Sequence, residues 1–211
     1  MITYKFEMNM MGELSFILRL QVRQLEGGTF INEVKYTKEL LKKFCMESCF
    51  AASTPISSSI KFDKDEDCQS VDITAYRGII GSLLYLTASR PDILFAFGVC
   101  RRFQANPKQS HYVSAKRILK YLKGTQNVEL WYPKDSNFNL ISYYSADYAC
   151  CKVNRKSTSR TCQFPVDRLI SWYNKKQTSI ATSTAEVEYL VVGICCAQLL
   201  WMQQQLKYFG I

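Results

Sequence analysis

The N-terminal part of the chain alternates apolar and polar residues at the spacing of a strand. The even positions of residues 14–23 are apolar and the odd positions are polar, with Ile17 as the exception. Because successive side chains of a strand point to opposite faces, this pattern predicts one strand over that segment. Gly27-Gly28 predict a turn, and residues 29–31 begin a returning strand, so the segment is predicted to be a β-hairpin.

Helical spacing and helix end signals predict five helices. Asp72 is a residue type that is favoured at a helix N-cap, and Ser183 followed by Glu186 forms a capping-box pattern. Gly124 is favoured at a helix C-terminus because glycine adopts the left-handed backbone conformation easily. The apolar stretch 78–100 is interrupted by Arg90-Pro91-Asp92, which indicates two buried helices rather than a membrane span. The predicted helices cover residues 36–44, 73–86, 89–106, 110–124 and 183–208.

The last third is rich in β-prone segments joined by turn-prone or basic stretches. The segments are 140–148, 161–164, 169–173 and 178–182, and the long final helix follows them. An antiparallel meander followed by a helix is expected at the start of an α/β sandwich. Residues 52–72 combine serines, a proline and charges without periodicity, which predicts a linker.

Charge and cysteine usage narrow the function classes. The chain has 27 Lys and Arg against 18 Asp and Glu, a net charge of +9, and the excess lies beyond residue 70. A basic balance suits nucleic acid, although alone it is weak evidence. Nine cysteines without a signal peptide or membrane span indicate reduced thiols in an intracellular protein, cytoplasmic or nuclear. With His111 as the single histidine, neither a zinc site nor a histidine-based triad can be built.

Several long motifs, in a fixed order, resemble the Pol polyprotein of copia-type retrotransposons. They are FEMNMMGELSFILRLQVRQLEGGTFINEVKYTKELLKKF (6–44), YRGIIGSLLYLTASRPDILFAF (76–97), AKRILKYLKGT (115–125), NRKSTS (154–159), LISWYNKKQ (169–177) and STAEVEYL (183–190). The resemblance implies an α+β fold. It consists of the β-hairpin and helices of a reverse-transcriptase thumb and connection region, followed by a truncated RNase H-like antiparallel meander with one long helix.

The same resemblance implies four segments. Residues 1–51 correspond to the primer-grip hairpin and the start of the thumb, 52–72 to a linker, 73–135 to a helical connection region, and 136–211 to a truncated RNase H-like domain. The family's polymerase carboxylates, in a Tyr-x-Asp-Asp motif, correspond to a position upstream of Met1. We therefore expect no polymerase activity.

RNase H chemistry needs clustered carboxylates to hold two divalent cations about 3.5–4 Å apart. The family's first metal-binding aspartate corresponds to Ser145, which cannot supply a negative charge. Asp147 should point to the same face of the strand as Ser145, but it lies roughly 6.6 Å further along the strand. Glu188 best matches the helix-borne ligand, and an ordinary exposed glutamate is an equally good interpretation. Glu186 is accounted for by the capping box at the start of the final helix, so it is not needed as a metal ligand.

The sequence therefore predicts a catalytically inactive remnant, a pseudoenzyme without a functional Mg²⁺ site or other cofactor. The family's remaining aspartates correspond to positions beyond Ile211. The fourth strand of an RNase H sheet would lie there too, so residues 140–148 are expected to form an open sheet edge. With the wide apolar stripe of the final helix, this edge predicts self-association. Because the sequence predicts no membrane span, no membrane partner is expected.

Three other functions are kept as alternatives. A nucleic-acid-binding module would use the basic helix face and two basic stretches, which are Lys116, Lys120, Lys123, Arg117, Arg155, Lys156, Lys175 and Lys176. Such binding is expected to be weak. An active nuclease would need the missing carboxylates, and a co-opted effector-like role has no sequence feature in its favour.

Overall fold

The first sheet joins the N-terminal hairpin to a strand about 100 residues later. The computed structural model describes residues 12–57, 63–134, 139–149, 151, 153–165 and 167–210. Strands β1 (Phe16–Ile17), β2 (Leu20–Leu25), β3 (Gly28–Asn32) and β4 (Leu130–Pro133) pair antiparallel in that order. Residues 6–11, part of the first motif, lie outside the described residues.

The expectation of one strand over residues 14–23 is wrong. A two-residue turn at Leu18-Arg19 separates β1 from β2, and both residues have positive φ, 46° and 67°. Neither is a glycine, so period-two spacing gave no sign of a break. The predicted hairpin is confirmed between β2 and β3, with Glu26-Gly27 rather than Gly27-Gly28 in the loop.

Gly28 lets β4 pack against the hairpin. It has a φ of +154°, and a Cβ there would lie 2.3 Å from the carbonyl oxygen of Tyr132. Phe30 and Trp131 are register partners, with ring centroids 4.3 Å apart. No strand was predicted over 130–133, because these residues belong to the segment 73–135 that was expected to be helical.

Four helices share one hydrophobic core. They are α1 (Val34–Lys43), α2 (Ile73–Leu86), α3 (Leu94–Cys100) and α4 (Gln109–Gly124). The predicted α2 is confirmed, and its N-cap Asp72 accepts a hydrogen bond from the backbone N–H of Thr74. The helix predicted over 89–106 is shorter, because 3₁₀ turns at Pro91–Ile93 and Arg101–Phe103 flank α3. The fully buried side chains of this core include Tyr76, Ile79, Leu83, Leu86, Ile93, Ile118, Leu119 and Leu122.

The predicted linker lies against α4. Within its described parts, 52–57 and 63–72, no helix or extended strand forms. Ala52 donates its backbone N–H to the carbonyl of Lys120, and Ser70 forms an isolated bridge with Lys108. Since α1 and α2 share one core across this segment, it connects parts of a common packing unit. The four segment boundaries stay a prediction.

The second sheet is an antiparallel meander, as predicted, with three strands instead of four. It consists of β5 (Leu140–Asp147), β6 (Thr158–Pro165) and β7 (Ser171–Lys176). A strand over 178–182 is wrong, because these residues form bends and coil before the last helix. In the described part of the sheet β5 is an edge strand, in agreement with the expected open edge.

Helix α5 (Thr184–Tyr208) covers one face of this sheet. It packs on β5 and β6 through Val187, Val191, Cys195 and Met202. Ser183 accepts a hydrogen bond from the backbone N–H of Glu186 at its start. By length and composition this helix is long and apolar enough to cross a membrane. One helix of this kind is only weak evidence for a membrane span, because the core helix of a soluble protein can have the same properties. Much of its surface is exposed, including Leu200 and Trp201.

The observed architecture is therefore α+β, with two antiparallel sheets and five α-helices among the described residues.

Candidate functional site

Ser145 and Asp147 lie on the face of the second sheet that is turned away from α5. Ser142 lies 2.9 Å from the Sγ of Cys195 in α5, which identifies the helix-facing side of β5. Since side chains alternate along a strand, Ser145 and Asp147 occupy the other face. The two residues therefore share a face of the strand, as the sequence predicted.

The Asp147 carboxylate has one structural partner. Its Oδ1 accepts a hydrogen bond from the backbone N–H of Thr158, its register partner on β6. Its Oδ2 is buried and accepts no hydrogen bond from a described residue. The carboxylate thus holds the start of β6 beside the end of β5.

Glu188 stands apart from both β5 residues. It is exposed on α5, next to Val187, whose side chain is buried against the sheet. Its side chain takes part in none of the ion pairs found in the described part of the chain. The structure thus does not bring Ser145, Asp147 and Glu188 together. Within the described ranges, no cluster of three or more His, Cys, Asp or Glu could hold a metal ion.

Glu186 caps the start of α5, although not with the predicted partner. Its Oε2 accepts hydrogen bonds from the backbone N–H of Thr182 at 2.7 Å and from the Thr182 hydroxyl at 2.8 Å. The capping box had predicted the backbone N–H of Ser183. The backbone and hydroxyl donors of Thr182 hold the pKa of Glu186 below its usual value.

The basic face of α4 is partly used to hold the neighbouring chain. Arg117 donates from Nε to the Thr54 carbonyl at 3.1 Å and from Nη2 to its hydroxyl at 3.0 Å. Lys123 donates to the carbonyl of Cys49 at 2.5 Å. Two of the four predicted phosphate-binding side chains on α4 therefore have structural partners.

The other two α4 cations are less engaged. Lys120 is exposed, and Lys116 lies over the ring of Tyr112 with its Nζ 4.6 Å from the centroid. Both could contact a polyanion without breaking a hydrogen bond to the protein.

The two basic stretches of the second sheet meet at one corner. Register pairs Thr158 with Lys176, which places the residues just before β6 beside the end of β7. Lys156 donates to the carbonyl of Thr178, whereas Arg155 and Lys175 are exposed. The structure thus brings Arg155, Lys156, Lys175 and Lys176 to one corner, here called the β6–β7 basic corner.

Sequence reasoning missed an ion pair between a buried arginine, Arg90, and the more exposed Asp92. Arg90, 3% exposed, donates from Nε and Nη2 to the two carboxylate oxygens of Asp92 at 2.9 and 2.6 Å. It also donates to the carbonyl and hydroxyl of Thr125 at the end of α4. Burial raises the pKa of Asp92, but the Arg90 hydrogen bonds and charge outweigh this, and the net shift is downward.

An apolar groove of about 380 Å³ separates α3 from the outer face of the second sheet. The Arg160 guanidinium lies inside it, 4.2 Å from the ring centroid of Phe95. Ser145, Arg160 and Asn174 are register partners across the three strands and all line the groove. The sequence analysis did not identify this site, because Arg160 directly precedes the strand that was predicted over 161–164 and only the register of the sheet places it beside Ser145 and Asn174.

No protein-family model matches the chain, and no solved structure matches it. The uncharacterized mitochondrial protein AtMg00810 of Arabidopsis thaliana is 32% identical over 197 residues, which are 93% of this chain and 81% of that protein. The retrovirus-related Pol polyprotein from transposon RE1 of the same plant is 32% identical over 199 residues, 94% of this chain and 14% of the polyprotein. The secreted RxLR effector protein 161 of Plasmopara viticola is 32% identical over 128 residues, 60% of this chain and 90% of that protein.

The similarities to AtMg00810 and to the Pol polyproteins extend over nearly the whole chain, and so over both the helical region and the second sheet. The polyproteins from transposon RE2 of A. thaliana and TNT 1-94 of Nicotiana tabacum match over 100% and 98% of the chain at 29% and 30% identity. The chain belongs to the family of copia-type retrotransposon Pol polyproteins and AtMg00810-like proteins.

Proposed function

We propose that this chain is an element-derived Pol segment without RNase H catalysis. The observation that carries the proposal is the placement of Ser145 and Glu188. Ser145 faces away from α5, on which Glu188 is exposed and forms no ion pair with a described residue. A pair of cations about 3.5–4 Å apart needs several carboxylates around one point. Asp147 alone, with one oxygen on the backbone N–H of Thr158, cannot supply them.

The test is cleavage of an RNA–DNA hybrid by the purified chain in Mg²⁺ and in Mn²⁺. We expect no cleavage above a protein-free control. Cleavage that disappears in Glu188→Gln but persists in the matched helix variant Gln203→Glu would overturn the proposal. Both positions are exposed on α5, so neither change is expected to unfold the protein.

A second candidate function, nucleic-acid binding, is favoured by the β6–β7 basic corner. Four cations lie close together along the backbone where β6 begins and β7 ends, and Arg155 and Lys175 are exposed. Each phosphate contact adds about 0.9 to the slope of log affinity against log salt concentration. A corner that contacts phosphates should therefore give binding that is strong at low salt and lost at high salt.

Fluorescence anisotropy with a labelled RNA–DNA hybrid tests this second function. We expect Arg155→Gln/Lys175→Gln to lower the salt slope by about 2, since each lost phosphate contact lowers it by about 1. The matched control is Lys38→Gln/Lys42→Gln, which removes two exposed cations from α1. No binding at low salt, or an equal loss in both double variants, would exclude the corner as the interface.

A further inference from the structure

We infer that the groove between α3 and the second sheet binds a small aromatic carboxylate. The reasons are the shape of the groove, the composition of its walls and the unmet hydrogen-bonding capacity of the residues that line it. The inference concerns neither nuclease activity nor the β6–β7 basic corner and does not depend on them.

The walls of the groove suit a flat apolar ring. Phe95 of α3 faces Tyr143 and Trp172, which are on the same face of the sheet as Ser145. Trp172 is fixed because its indole N–H donates to the carbonyl of Thr87 at 2.8 Å. A volume of about 380 Å³ lies within the range of about 300–1,000 Å³ that is usual for small-molecule sites.

The groove also contains a cation without a counterion. Arg160 takes part in none of the ion pairs found among the described residues. Its Nε is buried and donates no hydrogen bond to a described residue. Asp92 is the one carboxylate among the described residues that line the groove, and its two oxygens already accept hydrogen bonds from Arg90. A buried donor of this kind costs free energy until an acceptor reaches it.

Asn174 adds a second donor beside Arg160. The two residues are register partners on β6 and β7, and the Asn174 Nδ2 is also buried without an acceptor among the described residues. Ser145, exposed on the other side of Arg160, adds a hydroxyl. A planar carboxylate suits this row because a guanidinium presents two parallel N–H groups to it. The aromatic walls then enclose the rest of the molecule.

The probe for this site is 2-naphthoate, and its neutral isostere 2-naphthamide is the ligand control. We expect saturable binding of naphthoate below about 1 mM, with NMR shifts at the Trp172 indole and the Asn174 amide. Arg160→Gln should weaken binding about 10- to 100-fold, since a charge-assisted hydrogen bond is lost. Arg101→Gln removes the same charge at an exposed position outside the groove and should change the affinity less than twofold.

A second variant keeps the test valid if Arg160→Gln fails to fold. Ser145→Asp places a carboxylate opposite Arg160, so it should compete with naphthoate for the guanidinium and weaken binding, whereas Ser145→Asn should not. Equal affinity for naphthoate and naphthamide would overturn the inference, as would an equal loss in Arg101→Gln. Displacement of naphthoate by a single-stranded oligonucleotide would overturn it as well, because the groove would then belong to a nucleic-acid surface.

Discussion

Ser145 and Arg160 are opposite each other in the register of β5 and β6, and both side chains face α3. The position that corresponds to the family's first metal-binding aspartate therefore lies beside a cation that stacks on Phe95. A negative charge introduced at this position would therefore lie next to the Arg160 guanidinium and form an ion pair with it instead of binding a metal ion.

Restoring an aspartate at position 145 should therefore stabilise the fold without creating a nuclease. A cross-strand pair of opposite charges contributes about 0.2–1 kcal/mol. We expect Ser145→Asp to raise the free energy of unfolding by that amount in urea titrations, and Ser145→Asn, the uncharged control, to leave it unchanged. Hybrid cleavage by Ser145→Asp that requires Glu188 would contradict this view of the site.

The cations of α4 should separate into structural and free residues. Arg117→Met and Lys123→Met each remove hydrogen bonds to the segment around Cys49 and Thr54. We expect each to lower the free energy of unfolding by about 0.5–1 kcal/mol. Lys120→Met, at an exposed position, should change it by less than about 0.5 kcal/mol. Equal losses in all three variants would show that lost charge, not lost hydrogen bonds, is responsible.

Glu33 should make the fold less stable as the pH rises. Burial raises the pKa of this carboxyl above its usual value of 4.5, and the Ser89 hydroxyl and the Arg90 charge only partly offset the effect. The folded chain thus binds this proton more tightly than the unfolded chain. The stabilising contribution is complete below about pH 4.5 and is lost as the pH rises through the folded-state pKa.

Urea titrations between pH 4 and pH 7.5 can isolate this contribution. We expect the free energy of unfolding of Glu33→Gln, minus that of the unchanged chain, to increase with pH over this interval. Glu39→Gln, at an exposed position on α1, is the control for the loss of one carboxyl group, and the increase should be larger in Glu33→Gln than in this control. The opposite sign for Glu33→Gln would mean that the carboxylate, not the acid, is the favoured form in the folded state.

The open edge of β5 should favour self-association, in line with the exposed aromatic residues around it. Tyr143 and Tyr144 on β5 are 59% and 48% exposed. A lysine on an edge strand opposes pairing with another strand. In sedimentation experiments, Tyr144→Lys should shift the chain towards the monomer, whereas the charge-matched Gln203→Lys on α5 should not. A monomeric unchanged chain at high concentration would exclude this association.

Local signals predicted the helices well because the relevant physics is local. The Asp72 carboxylate caps α2 and α4 ends at Gly124, as the residue types indicated. The turn at Leu18-Arg19 could not be foreseen, since both residues adopt positive φ against their intrinsic preference. The strand over 130–133 was missed because its pairing partner is distant in sequence.

The candidate sites depended even more on tertiary structure. Sequence alone could identify the substitution at Ser145, but only the β5–β6 register shows that Arg160 lies opposite it. The basic face of α4 was equally visible, whereas its partners Cys49 and Thr54 come from the connection between α1 and α2, for which no element was predicted. Contacts with residues distant in the sequence thus decide which cations of α4 are bound to the protein and which remain available to a ligand.

The pairing of β3 with β4 also constrains the order of events when the chain is made. Gly28 meets Pro133 across the sheet, and about 100 residues of helix and connecting chain lie between the two strands. At about 5–20 residues per second, a ribosome needs on the order of 5–20 s to deliver β4 after β3. During that time the outer side of the hairpin has no partner strand. Nascent copies are therefore most open to chaperones and to premature pairing before Trp131 emerges.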